Sequence, residues 1–192
     1  MLTIMLVRTG ATEYECQGRI QGALDVPLSE DGRQQIEQVA EQVEGTEVDA
    51  LYAGPCRASQ QSAEILADRL SLKAKTVEGL SNLNLGLWQG MLIKDVKNKQ
   101  PKVYRQWQDH PETVCPPSGE TLKAARERLQ QLLAKVMKKH KSGTVGLVVD
   151  TAIARLLRNM LREDALGDLW GVEGKCLPQW ELIEVTAGAA SP

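Results

Sequence analysis

Short apolar runs alternate with stretches of helical periodicity along this chain, and that alternation limits the folds open to it. Thr3 to Val7 and Val145 to Val149 read as buried strands, the second the most apolar. Val48 to Ala53, Lys73 to Val77 and Trp180 to Val185 supply three more. Ser29 is a plausible N-cap with Glu30 and Asp31 in the first turn, where the helix dipole favours acids. Ile36, Val39, Ala40 and Val43 then mark a buried face. Residues 57 to 70, Thr121 to Lys141 and Thr151 to about Leu161 read as helices, and 91 to 109 as helical pieces broken by Pro101. Strands and helices alternating at these lengths predict an α/β fold, a three-layer α/β/α sandwich with a mainly parallel central sheet.

A chain of 192 residues with 42% apolar content is most simply one domain, expected over 1–185, with a frayed tail over 186–192. A formal charge of -2 and a pI near 5.8 argue against nucleic acid or an anionic membrane as the main partner. No apolar run approaches the roughly 20 residues that span a bilayer, and no secretory signal is apparent. Cys16, Cys56, Cys115 and Cys176 have no C-x-x-C spacing and read as free thiols in a reducing cytoplasm. With only His110 and His140 in the chain, a zinc site is not expected, and no cofactor is implied.

Ligands in such folds sit beyond the carboxyl ends of the strands. The residues there are Arg8-Thr9-Gly10, Gly54-Pro55-Cys56-Arg57-Ala58, Ser81-Asn82 and Asp150-Thr151. Together with the turn Gly18 to Ser29, these segments resemble the signatures of the histidine phosphatase (phosphoglycerate mutase-like) superfamily, in the family's order, from Leu2 to about Leu157. That family's first strand ends in Arg-His-Gly-x-Thr, with the histidine taking the phosphoryl group; here the position holds Thr9. Ungapped alignment through Pro55 and Ala63 puts the family's phosphate-binding arginine at Ala58. Arg57, one residue early, is turned by about 100° on a helix and reads as a surface residue. The proton-donating acid of the third motif is Asn82, while Gly86, Trp88 and Gly90 keep its scaffold. Anchored on Arg155, the second histidine position falls at Asp150; a one-residue gap would make it Thr151. Arg19, Gln21, Asp25, Glu120 and Thr121 match further family elements and read mainly as scaffold.

The resemblance therefore implies a degenerate pocket in which Thr9, Ala58, Asn82 and Asp150 are the altered positions. Arg8, Thr9, Arg19, Asn82 and Asp150 are the binding residues it leaves. Arg8 is expected to contact Asp150 directly or through water, unless Asp150 turns away to cap the following helix. The first expectation for function is a catalytically inactive pseudophosphatase that binds an unknown protein partner or small ligand, or assembles with itself. The alternative is a phosphoglycerate mutase-like phosphomonoesterase of weak or non-standard activity. A third is a phosphatase inactivated artificially, against which the breadth of the changes argues.

Overall fold

The computed structural model describes residues 1–167, 169–170 and 179–185. The expected tail over 186–192 and the thiol of Cys176 lie outside the described residues. The elements run β1 (Leu2–Arg8), α1 (Glu13–Cys16), α2 (Glu30–Gln42), β2 (Ala50–Ala53), α3 (Arg57–Leu70) and β3 (Ala74–Thr76). They continue as α4 (Ile93–Lys99), α5 (Pro101–Asp109), α6 (Leu122–Lys139), β4 (Gly143–Val149), α7 (Thr151–Arg162) and β5 (Trp180–Val185). Among the described residues the strands form one sheet in the order β3-β2-β4-β1-β5. All its pairings are parallel except β1 with β5.

Side-chain alternation explains why helices cover both faces. Leu2, Ile4 and Leu6 of β1, with Val145, Leu147 and Val149 of β4, join one core, to which α6 and α7 contribute Leu129, Leu133, Ile153 and Leu156. Met5 and Val7, with Leu51, Ala53 and Val148, face the other, against Ile36 and Val39 of α2 and Ala63 and Leu66 of α3. A one-residue slip of either central strand would exchange the two sets.

Local signals set the helix ends. Ser29 caps α2 by accepting from Gly32 N, and Thr121 caps α6 by accepting from Ala124 N. Pro101 opens α5, where its missing N–H costs nothing. Strands β2 and β3 are shorter than the expected 48–53 and 73–77, because β2 pairs with β4 only from Ala50 to Ala53 and with the edge strand β3 only over Leu51↔Ala74 to Ala53↔Thr76. No helix among the described residues is long and apolar enough to cross a membrane.

Candidate functional site

The cleft forms where β1 and β4 end side by side. Arg8 closes β1 opposite Val149, and Thr9 N donates to Val149 O at 2.9 Å, holding the two strand ends in register. The chain then passes the start of α2 at very close range. A Cβ on Gly10 would stand 2.1 Å from Gly32 O, and one on Gly32 only 1.9 Å from Ala11 O. Only paired glycines permit that approach. Gln179, just before β5, clamps the same turn: its Nε2 donates to Arg8 O and Thr9 O at 2.9 and 3.0 Å, and its Oε1 accepts from Arg8 Nη2 at 3.0 Å.

After the turn, Thr12 and Glu15 form a capping box on α1. The Thr12 hydroxyl accepts from Glu15 N at 3.3 Å and donates to Gln21 Oε1 at 2.5 Å. Glu15 has an exposed outer edge, yet its Oε2 accepts from Thr12 N at 2.9 Å within the cleft wall. Desolvation there raises its pKa, opposed by the Thr12 hydrogen bonds and the charge of Arg8. Arg19 is braced against Gly90 O at 2.7 Å and Gln17 Oε1 at 3.0 Å.

Asp150 is the buried charge of the site, only 6% exposed. Burial, and secondarily the charge of Glu15, push its pKa up to about 7; a hydrogen bond from the Cys56 thiol, 3.5 Å from Oδ2, pulls the other way. Cys56 in turn is pushed up to about 12 by its own burial and then by Asp150, so the thiol stays protonated and donates. Asn82 is fixed at both ends, Nδ2 donating to Gly22 O at 2.9 Å and Oδ1 accepting from Leu83 N at 2.8 Å.

Two adjoining hollows result. An outer cleft of about 500 Å³ is lined by Arg8, Thr9, Arg19, Thr151 and Gln179, with Ile93 and Trp170 as its apolar wall. An inner recess of about 50 Å³ is lined by Gln21, Asn82 and Asp150. Glu15, Arg19, Thr151 and Trp170 border both. Arg8, Thr9, Arg19, Asn82, Asp150 and Thr151 therefore meet in one place. Ala58 is fully buried in the first turn of α3, and Arg57 turns outward to Asp25, with both side chains more than half exposed.

A direct Arg8–Asp150 contact is not formed. Arg8 turns to Gln179 Oε1 and, at 3.5 Å, to Thr151 Oγ1, while Asp150 turns to Cys56. Asp150 does occupy the N-cap position of α7, but its side chain makes no capping bond. His110 and His140 end α5 and α6, the first beside Glu112 and the second 3.0 Å from Tyr52 Oη.

Glu15, Trp170 and Gln179 are the contributors that sequence reasoning missed, and Cys56, placed at the strand ends, was read there without its bond to Asp150. Only Glu15 had a readable signal, the Thr-x-x-Glu spacing of a capping box. Gln179 reaches Arg8 from 171 residues away, which no local pattern encodes.

Comparison with known proteins places this geometry. Residues 4–189 match the model of the histidine phosphatase superfamily (branch 1). Phosphoserine phosphatase 1 of Hydrogenobacter thermophilus is 30% identical over 170 residues, covering 88% of this chain and 81% of its own. YhfR of Bacillus stearothermophilus superposes with a TM-score of 0.86 at 24% identity, over 98% of this chain and 93% of its own. The mycobacterial glucosyl-3-phosphoglycerate phosphatase gives 0.81 at 23% identity, over 94% and 88%. The phosphoserine phosphatase overturns the expectation of an inactive pseudophosphatase. That expectation rested on the residues at Thr9, Ala58, Asn82 and Asp150, whereas the cleft is still lined by Arg8 and Arg19 and adjoins the buried carboxyl of Asp150. The chain belongs to the histidine phosphatase superfamily, branch 1.

Proposed function

We propose that this chain is a phosphomonoesterase of non-standard mechanism, hydrolysing phosphate monoesters slowly without a histidine nucleophile. The observation that carries this reading is the buried carboxyl of Asp150, held near pH 7, beside a cleft lined by Arg8 and Arg19. The relation to a protein named phosphoserine phosphatase supports the reaction class.

In the resemblance to the family signature, Thr9 and either Asp150 or Thr151 take the places of the histidines, and no histidine lines either hollow among the described residues. A phosphohistidine cannot form at either position. Thr9 has a hydroxyl but no imidazole or amine base beside it, which makes it a poor nucleophile. Water activated by a carboxylate is the chemistry these residues can supply. Arg8 and Arg19 hold the phosphoryl oxygens by charge-assisted hydrogen bonds, and the hydroxyls of Thr9 and Thr151 add neutral donors. The N-terminus of α7, opening at Thr151, adds the positive end of a twelve-residue helix. A carboxyl titrating near 7 is neutral in about half the molecules at that pH, which lessens its repulsion of a phosphate dianion.

Phosphate release from an aryl phosphate, by protein purified free of host phosphatases, tests the reading. Turnover above blank is expected, with Arg8→Ala raising KM at least tenfold. Absence of turnover across pH 5.5 to 8.5 would overturn it.

A further inference from the structure

The inner recess contains a buried donor left without a partner among the described residues. Gln21 is 7% exposed and lines the recess, and its Nε2 atom meets no acceptor there. Its orientation follows from Thr12. That hydroxyl accepts from Glu15 N and stands 2.5 Å from the Gln21 amide against 3.4 Å from Glu15 Oε2; so short a contact fits O–H···O and not N–H···O, which puts Oε1 toward Thr12 and leaves Nε2 as the outstanding end of the amide. Orphaned buried donors are costly, at about 1–3 kcal/mol each, and native proteins satisfy them with water or ligand.

Size and chemistry select the occupant. A water needs roughly 10–15 Å³ of such space and two to four polar partners. The recess offers about 50 Å³, too little for a phosphoryl group with its ester and ample for one ordered water or two. Among the residues that line it are Gln21 with its unpartnered Nε2, the carboxyls of Asp150 and Glu15, Arg19, and Asn82, whose Oδ1 accepts from Leu83 N and keeps a second lone pair.

Building on the phosphatase reading, we propose that this recess holds the attacking water, with Gln21 as its positioning donor and Asp150 as its base. A tetrahedral water placed there gives one proton to Asp150 and shares the other with Asn82 Oδ1. It accepts one hydrogen bond from Gln21 Nε2, and its remaining lone pair faces the outer cleft where Arg8 and Arg19 hold the phosphoryl group. As the water oxygen bonds to phosphorus, its proton passes to Asp150 and the bond from phosphorus to the ester oxygen breaks. The leaving oxygen takes a proton from solvent at the open mouth of the cleft, and Asp150 returns its own to solvent. One water and one ester become one alcohol and one inorganic phosphate. The three residues thereby replace a covalent phosphoenzyme with a single in-line displacement.

Two readouts test the placement. Single displacement inverts configuration at phosphorus, so an isotopically chiral aryl phosphate turned over by the wild-type protein is expected to give inverted phosphate; retention would overturn the proposal. Gln21→Met removes the donor at similar size without adding a charge to the recess. It is expected to lower kcat about 100-fold with KM within twofold, a split that general loosening of the cleft would not give. Gln21→Leu serves the same purpose should the methionine variant fail to fold. An unchanged kcat in the folded variant would overturn the role of Gln21. Absence of any wild-type turnover would instead overturn the phosphatase reading on which the proposal rests.

Discussion

Asp150 and Cys56 form an unusual couple, a carboxyl raised by burial that accepts from a thiol raised by burial. Burial and the neighbouring carboxyl keep the Cys56 thiol protonated, while the thiol's hydrogen bond draws the Asp150 pKa down against its burial. Cys56 is therefore expected to resist iodoacetamide at pH 8, whereas exposed Cys16 and Cys115 react; peptide mass spectrometry reads the difference. The couple also shapes stability. Between its ordinary value near 3.8 and about 7, Asp150 holds more proton in the folded chain than in the unfolded one. Its contribution to stability therefore falls as pH rises through that window, by roughly 1.4 kcal/mol per pH unit at most. Asp150→Asn removes this slope, so the variant is expected to gain more in Tm over wild type at pH 8 than at pH 5. An equal difference at both pH values would show that the carboxyl does not titrate there. Arg57 is the contrasting case. Its pair with Asp25 is largely solvated, so Arg57→Ala is expected to change stability by less than about 0.5 kcal/mol and to leave turnover intact.

At the level of elements, the cleft depends on how closely α2 approaches the turn after β1. Gly10 and Gly32 allow that approach, and a methyl group at either would collide with backbone rather than with a flexible side chain. Gly32→Ala is expected to destabilise by about 1–3 kcal/mol, or roughly 3–10 °C in Tm for a chain of this size, and to raise KM by displacing Arg8. Thermal melts and steady-state kinetics check both effects. The long helices were legible from periodicity and caps: Ser29 and Thr121 perform the capping their residue types suggest. The four-residue α1 was not, since a single turn carries no apolar period, and only its capping box could have revealed it. Pairing register was equally beyond local reading, which is why β2 and β3 came out shorter than their apolar runs.

In the whole molecule, the alternating faces of β1 and β4 decide the layers, and that alternation is written plainly in the sequence. Strand ends then fix where Arg8, Thr9, Asn82 and Asp150 gather, so motif order alone located the cleft. What the motifs could not supply was its contents. Gln179 and Trp170 come from distant segments, and the pairing of Asp150 with Cys56 rather than Arg8 depends on how α3 and α7 begin side by side. An inactive protein followed from the residues at Thr9, Ala58, Asn82 and Asp150, because the burial that raises the Asp150 carboxyl cannot be read from the sequence. The central claim is that this cleft hydrolyses phosphate monoesters with Asp150 as base. Its most direct test is the pH dependence of kcat/KM for an aryl phosphate, measured from pH 5.5 to 8.5 on wild type and Asp150→Asn in parallel. The predicted result is wild-type activity that rises about tenfold per pH unit and levels near pH 7, with the variant at least a hundredfold lower and flat. Equal profiles for the two proteins, or no turnover by wild type at any pH, would contradict it.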